Sequence, residues 1–318
     1  MDLAFSATSL PFLSHLRSHR SLLSPRNRFQ ATHRRPRTPN VQPLSNAQSP
    51  HPHPSQPQPS QPQPTDVRNL TVVALPMTSG ADLIFPGASQ LLSLPAETAH
   101  RLLRTVCDSD PPEFAYMCLN AWGDPSEVAT LCVIDDVHIS PADEKSTLLC
   151  TGISRLHILN IDEKMHNARA QLFYDEPPKE DQLAAITRLE EQLISTMTQI
   201  VQLSIKISEG QDEHQRALAD TLQRVRAFCG QIGEEQSRKL LQPWILQLSP
   251  HLRREILSFI VIDLLSISFM DRRKLLNTTD TGHRLEHALR GLEPYVKELA
   301  AKGAIVSALG KEGEQGSS

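Results

Sequence analysis

Residues 128–161 of the chain read VATLCVIDDVHISPADEKSTLLCTGISRLHILNI. Two apolar runs rich in β-branched residues are separated by a polar, Pro-containing break at residues 140–146. This pattern predicts a β-hairpin with a longer loop. Gly152 interrupts the second run, and a lone glycine in a strand indicates a β-bulge or the close approach of another backbone segment.

The periodicity of the apolar residues changes at Pro177-Pro178. Before these prolines, from about Leu70, the runs are short and β-like, with one short helix predicted around residues 97–106. After them the period is about 3.6, and Pro is tolerated in the first turn of a helix. The predicted fold class is therefore α+β, with the boundaries 66–176 for a β-rich half, 177–310 for a helical bundle and 311–318 for a disordered tail.

The helix predicted from residue 179 to 209 is marked by isoleucine or leucine at every seventh position, at Ile186, Leu193, Ile200 and Ile207. Gly210 is placed to end it, and its length would be about 45 Å at 1.5 Å per residue. These four residues form an apolar stripe along the helix, which we call the seam, and such a seam requires a partner helix. The expected partners are later helices of the same chain, at 212–229, 234–242, 249–266 and 280–301. Pairing with a second copy, as a homodimer, stays open.

The helix predicted at 249–266 contains the run ILSFIVIDLL, which is apolar nearly all round. A surface helix shows only one apolar stripe, whereas a helix that is apolar on every side is buried. We therefore expect this helix to be the centre of the bundle.

The first 65 residues differ in composition from the rest. They hold seven Arg, no Lys and one acid, so their net charge is 7 − 1 = +6, and the remainder of a chain with net charge −4 carries −10. A segment rich in Arg and Ser and poor in acids is typical of an organelle transit peptide. The late first Arg favours the plastid stroma over the mitochondrion. The Pro/Gln tract at 49–64 predicts a disordered spacer, and an ordinary disordered tail is the plain alternative for the whole segment.

Several classes of site are not expected. The sequence has no run of 18 apolar residues that would predict a membrane span. Its five cysteines form no Cys-x-x-Cys pair and are expected to be reduced, mostly buried thiols. His283 and His287 belong to a His-x-x-Glu-His pattern, but both would lie opposite the apolar face of their helix. We therefore predict no metal and no cofactor.

Groups of residues in a fixed order carry a resemblance to a known family. They are Leu75-Pro76, Phe85-Pro86-Gly87, Ala129-Thr130, Gly152 with Arg155, Ala168 with Ala170, Asp175-Glu176, Ser258-Phe259, Arg273 with Leu275-Leu276, Asp280-Thr281 and Arg284-Leu285. In this order and spacing they resemble the N-terminal substrate-binding domain of the Lon proteases, over about residues 70–308.

The resemblance implies a PUA-like β-rich pseudo-barrel followed by an α-helical bundle with one long helix. It also implies that the protein binds unfolded or extended polypeptides. The candidate substrate-binding residues are Phe85, Pro86, Gly87, Gly152 and Arg155. For Arg155 the alternative is that it pairs with a carboxylate or covers apolar surface with its stem.

The catalytic modules of a full Lon protease have no counterpart in the sequence. We find no Gly-x-x-x-x-Gly-Lys-Ser/Thr loop that would hold nucleotide phosphates, and Gly310-Lys311 is followed by Glu312. The expectation is a non-enzymatic adaptor or holdase in organellar protein quality control, with an organellar protease as a candidate partner. The alternatives are an RNA-binding PUA-like module, which the net charge of −10 disfavours, and a structural, dimerising protein.

Overall fold

The computed structural model of the protein describes residues 66–76, 83–107, 109–120, 122–139, 145–207 and 213–315. The predicted transit peptide and spacer, most of the hairpin loop, Gly210 and the last three residues lie outside these ranges. Within them a six-stranded sheet comes first and helices follow. The predicted α+β class is confirmed.

The sheet closes on itself. Its strands are β1 (Val67–Pro76), β2 (Ser89–Pro95), β3 (Glu113–Leu119), β4 (Val128–Ile139), β5 (Lys145–Ile161) and β6 (Asn167–Phe173). They follow the order β2-β5-β4-β3-β1-β6, and β6 pairs with β5 as well. This additional pairing joins β5, β4, β3, β1 and β6 into a ring, which is the expected pseudo-barrel. Closure leaves few unpaired strand edges.

The hairpin predicted around residues 140–146 is confirmed as β4 and β5. Gly152 lies opposite Cys132 and Ser154 lies opposite Leu131, so Ile153 is an extra residue and forms the expected bulge. The first part of β5 pairs with β2 and the last part pairs with β6, while β4 lies along its other edge. The long strand β5 is therefore the element to which the rest of the sheet attaches.

The barrel has its own small core, built from alternate residues of its strands. Its members are Leu70, Val72, Ala115, Met117, Ala129, Leu131, Leu156, Ala168 and Ala170. A larger core lies between the barrel and the helices and continues through the bundle. Helix α1 (Ala96–Val106), close to the helix predicted at 97–106, packs against this larger core through Ala99, Leu102 and Val106.

The helices of the second half begin after the connection at residues 174–179. They are α2 (Glu180–Ile207), α3 (Glu213–Phe228), α4 (Glu234–Leu240), α5 (Pro243–Gln247), α6 (Pro250–Asp263), α7 (Phe269–Asn277) and α8 (Thr281–Gln315). Eight consecutive residues of α6, from Glu255 to Ile262, are buried, so the predicted central helix is confirmed. In the described ranges, none of the helices combines the length and the apolar character needed to cross a bilayer.

The seam of α2 packs against α8 of the same chain. A Cβ on Gly282 would lie 3.6 Å from Ile186, and one on Gly303 would lie 3.8 Å from Ile207. Both spacings are 21 residues (303 − 282 and 207 − 186), so the two helices run parallel and in register over about three heptads. Because Ile186, Leu193 and Ile200 are buried in this way, the seam is not available for the dimer that the sequence left open.

The predicted end of the last helix is wrong, and two short helices were not predicted. Helix α8 continues to Gln315, past the predicted end at Ala301 and into the predicted disordered tail. Gly303 was expected to end the helix but is helical, because alanines on both sides favour continuation. The short helices α5 and α7 were not predicted. Ser268 caps α7 by accepting a hydrogen bond from the Asp271 amide, and this local signal was present in the sequence.

Candidate functional site

Arg155 of β5 lies fully buried where the barrel meets the bundle. Its Nη2 donates to Asp175 Oδ1 at 2.6 Å and to Glu255 Oε1 at 2.8 Å. Its Nη1 donates to the carbonyl oxygens of Leu276 at 3.1 Å and Thr278 at 2.7 Å. The guanidinium of Arg155 therefore joins strand β5 to the connection after β6 and to the helical half. The pairing with a carboxylate, which the sequence analysis held as the alternative, is confirmed.

Arg284 of α8 is a second fully buried cation in the same place. Its Nη1 and Nη2 donate to the two oxygens of Asp175, and its Nε donates to Ser258 Oγ at 2.8 Å. The guanidinium carbon lies 4.1 Å from the centroid of the Phe259 ring. An arginine held over an aromatic face gains a favourable cation–π interaction, which partly replaces the water it has lost.

These four residues, Arg155, Asp175, Glu255 and Arg284, form what we call the junction cluster. Two cations and two carboxylates balance in charge. Burial raises the pKa of the Glu255 carboxyl, and Arg155 opposes this change. Burial lowers the pKa of the Arg284 guanidinium, and Asp175 opposes that change. Removing such charges from water is costly unless each finds its partners, and here each does. The junction cluster therefore fixes the position of the barrel on the bundle.

The segment 83–88 packs into the same junction because two glycines allow it. Gly87 N donates to Gly152 O at 2.8 Å, and Gly152 N donates to Ala88 O at 2.9 Å. A Cβ on Gly152 would lie 2.4 Å from Phe85 O, and one on Gly87, whose φ is 81°, would lie 2.6 Å from Ile256 Cγ2. The close backbone approach predicted at Gly152 is confirmed.

The five predicted substrate-binding residues are thus brought together, but inside the protein. Phe85 and Arg155 are 0% exposed, Pro86 and Gly152 are buried, and Gly87 is half-buried. In this position they hold the barrel against the bundle, and their direct contact with a polypeptide stays a prediction.

A groove opens beside the junction cluster, between β5 and the helices α5 and α6. We call it the junction groove. Its cavity volume is about 60 Å³, and it is lined by Ile153, Ser154, Tyr174, Trp244, Leu248, Leu252, Glu255 and Ile256. Sites for drug-sized molecules are roughly 300–1,000 Å³, so this groove suits one or two apolar side chains. A second concavity, between β3 and α7, has about 10 Å³ and holds no more than a water molecule.

The wall of the junction groove combines aromatic and polar groups. Tyr174 is 44% exposed, and Trp244 on α5 is half-buried and donates through Nε1 to Gln242 Oε1. The Ser154 side chain is only 6% exposed, and its Oγ has no hydrogen-bond partner among the described residues. A buried hydroxyl without a partner costs free energy, so a ligand that hydrogen-bonds to it would bind more strongly than an apolar one.

The cysteines and the two histidines of the His-x-x-Glu-His pattern are placed as follows in the described structure. Cys118, Cys132 and Cys150 are buried and not joined in disulfides, as predicted. Burial raises the pKa of both Cys132 and Cys150, which disfavours the reactive thiolate. His283 is exposed and His287 is half-buried. Within the described parts of the chain, no group of three or more His, Cys, Asp or Glu side chains is placed to hold a metal ion.

The sequence pointed to the junction cluster but not to the groove. Asp175, Ser258 and Arg284 belong to the motifs that carried the family resemblance, and the fold brings those motifs together. Tyr174 and Trp244 were not singled out, because neither follows a helical or strand period with its neighbours. The only local signal was Pro243 before Trp244, which places Pro at the start of a short helix.

Comparisons with known proteins find one family. The family model described as the substrate-binding domain of ATP-dependent protease La (LON) matches residues 71–293. The N-terminal domain of a Mycobacterium avium complex Lon protease is similar at 12% identity and a TM-score of 0.45, covering 71% of this chain and 98% of that one. A Lon N-terminal domain protein from Xanthomonas campestris is similar at 16% identity and a TM-score of 0.40, covering 70% and 98%. No curated protein matches the chain significantly.

Proposed function

The chain belongs to the family of the Lon substrate-binding domain, and from that premise we propose that it binds polypeptides through the junction groove without cleaving them. The supporting observation is the groove itself, which pairs aromatic and aliphatic walls with the unpartnered Ser154 hydroxyl. An extended segment could place an apolar side chain against Trp244 and hydrogen-bond its backbone to Ser154. This mode uses the groove as a pocket for alternate side chains of an extended chain.

The rigid junction supports this role. Glu255 lines the groove and accepts hydrogen bonds from Arg155 in the junction cluster. The groove wall is therefore fixed before a ligand arrives. Preorganisation reduces the ordering cost of binding, which matters for a small groove that buries little area.

We further propose that the protein acts in organellar protein quality control, in the plastid stroma, with the mitochondrion as the alternative compartment. The support is the composition of residues 1–65, with seven Arg and one acid. Two modes of action fit a non-catalytic binder. A holdase would keep clients soluble by itself, whereas an adaptor would deliver them to a separate organellar protease.

Groove variants test the binding role. The probe is fluorescently labelled α-lactalbumin, reduced and carboxymethylated so that it stays unfolded, and the measurement is its fluorescence anisotropy with the purified full chain. We expect Tyr174→Ala and Leu252→Gln each to weaken binding about 5–10-fold, which corresponds to roughly 1–1.4 kcal/mol of lost apolar contact. Both positions are at least partly exposed, so the fold should be retained.

The matched control is Ile305→Gln, which changes an apolar residue that is 57% exposed on α8 and does not line the groove. Its affinity for the probe should equal that of the unmodified protein. Equal binding by all variants, or no binding at all, would remove the groove proposal. Release of labelled fragments from the probe would instead show hydrolysis and contradict the non-catalytic role.

A further inference from the structure

The loop between β3 and β4 presents Trp122 to solvent, with 88% of the residue exposed. Tryptophan is usually highly buried in folded proteins, and the other tryptophan of this chain, Trp244, is half-buried in the junction groove. Trp122 is not among the residues that line that groove. Its exposure needs an explanation separate from polypeptide binding at the junction.

The loop holds Trp122 in place. Asn120 Oδ1 accepts hydrogen bonds from the Trp122 amide at 2.8 Å and the Asp124 amide at 2.9 Å. Asn120 also donates from its own amide to the Asp124 carbonyl at 2.9 Å, and Gly123 supplies a positive φ of 84°. At the end of the loop, Glu127 O accepts from the Ile158 amide at 2.9 Å. These hydrogen bonds hold the backbone of the loop at Trp122, so the loop loses little conformational freedom on binding.

Two acids, Asp124 and Glu127, lie in the loop with Trp122, and both are exposed. In the neighbouring strand β5, Leu159 is 45% exposed and adds apolar surface beside the Ile158 contact. The result is an apolar anchor with an acidic border.

We propose that the β3–β4 loop docks a second protein, one that receives the Trp122 ring in an apolar cleft bordered by Lys or Arg. Tryptophan is enriched among the residues that dominate binding energy at protein interfaces. Complementary charge at the border steers association and excludes wrong partners. The negative charge of Asp124 and Glu127 also determines which partners can bind this loop. A second copy would bring the same acids against this surface, and an anionic membrane would repel it. Because Trp122 is not among the residues that line the junction groove, we expect a client and the partner to bind together.

The first experiment tests whether the indole of Trp122 is exposed to water. The full chain carrying Trp244→Phe has Trp122 as its single tryptophan, since the chain has two. We expect its emission to be that of a water-exposed indole and to be quenched readily by acrylamide. A blue-shifted emission that resists quenching would show that the chain covers its own Trp122, and this result would overturn the proposal.

The second experiment measures the partner. The tagged full chain and its Trp122→Ala variant are used to capture proteins from cells that contain the protein, and a protein retained only by the unmodified chain is purified. Isothermal titration with this purified protein should then show binding that Trp122→Ala weakens at least 30-fold. The double charge reversal Asp124→Lys with Glu127→Lys should slow association, most strongly at low salt.

Two controls complete the design. Ile305→Ala changes another exposed apolar residue, 57% exposed on α8, and should leave the affinity unchanged. Tyr174→Ala, in the junction groove, should also leave it unchanged. The proposal is overturned if no protein distinguishes the unmodified chain from Trp122→Ala, or if the purified protein binds both equally. Trp122-dependent binding to phosphatidylcholine–phosphatidylglycerol vesicles, or a Trp122-dependent dimer in sedimentation, would assign the surface to a membrane or to a second copy instead.

Discussion

The junction cluster and the junction groove are neighbours that share Glu255, yet they treat polar groups in opposite ways. In the cluster, every buried charge contacts an opposite charge, and Arg155 also donates to main-chain carbonyls. In the groove, the buried hydroxyl of Ser154 contacts no partner in the described structure. The difference teaches that burial alone does not mark a binding site in this protein. A satisfied buried group stabilises the fold, whereas the unsatisfied hydroxyl of Ser154 keeps a hydrogen-bonding capacity that the proposed ligand would use.

The largest effect should come from breaking the junction cluster. Arg284→Met removes the cation that contacts both oxygens of Asp175 and leaves Arg155 as the one cation that pairs with the two buried carboxylates, Asp175 and Glu255. Removing one member of a buried ion pair typically destabilises a protein by about 3–5 kcal/mol. We expect a loss of this size in the free energy of unfolding, measured by urea denaturation followed by circular dichroism.

Arg290→Met is the matched control for this substitution. Arg290 lies on the same helix, but its side chain is 67% exposed and its pairing with Glu286 is at 4.0 Å. Exposed pairs of this type contribute about 0–1 kcal/mol. If Arg284→Met and Arg290→Met lost the same amount of stability, the junction cluster would not hold the two halves together.

A second effect concerns the backbone contact at the junction. Gly152→Ala would place a methyl group 2.4 Å from the carbonyl oxygen of Phe85, and this atom is main chain with little freedom to move. We expect a loss of about 1–3 kcal/mol in the free energy of unfolding, as for other overpacked sites. Gly303→Ala in α8 serves as the control, since its new methyl group would meet Ile207 at an ordinary 3.8 Å. That variant should be neutral or slightly stabilised, because alanine favours a helix more than glycine does.

These residues also show how far the sequence could lead. The hairpin, the bulge at Gly152 and the central helix α6 follow from local patterns of apolar residues and glycine, so they were predictable. The end of α8 was not, because a glycine stops a helix only when the following chain turns away. The burial of Arg155 could be held only as an alternative to a binding site. Its partners, Asp175 and Glu255, lie 20 and 100 residues away, and only the fold brings them together.

A smaller effect distinguishes the groove from the cluster. Ser154→Ala removes a hydroxyl that makes no hydrogen bond in the described structure, so the free energy of unfolding should stay the same or rise slightly. Binding of unfolded α-lactalbumin should nevertheless weaken about 3–10-fold, as expected for the loss of one hydrogen bond worth roughly 0.5–1.5 kcal/mol.

Ser146→Ala is a close control for that variant. Ser146 is also a buried serine of β5 whose Oγ has no partner, but it does not line the groove. Its substitution should leave both stability and affinity unchanged. Two outcomes would contradict a binding role for the Ser154 hydroxyl. One is a loss of stability in Ser154→Ala, and the other is an equal loss of affinity in Ser154→Ala and Ser146→Ala.

The smallest effect should be a pH dependence that arises from Glu255. Burial raises the pKa of this carboxyl in the folded protein above its ordinary value of 4.5. The folded state therefore binds more protons than the unfolded state at pH values between the two pKa values, and the free energy of unfolding falls as pH rises through this window. The stabilising contribution is fully present below the ordinary pKa value and is lost as pH rises through the raised pKa value.

Glu255→Gln has no such titration, although it is less stable overall because an amide does not accept all the hydrogen bonds that Arg155 and the Asp175 amide donate. Urea denaturation at a series of pH values from 4 to 7, in the unmodified protein and in Glu255→Gln, isolates this contribution as the difference between the two curves. We expect that difference to grow as pH falls. A difference that shrinks instead would mean that Arg155 outweighs burial, and the cluster would then favour the ionised carboxylate more strongly than water does.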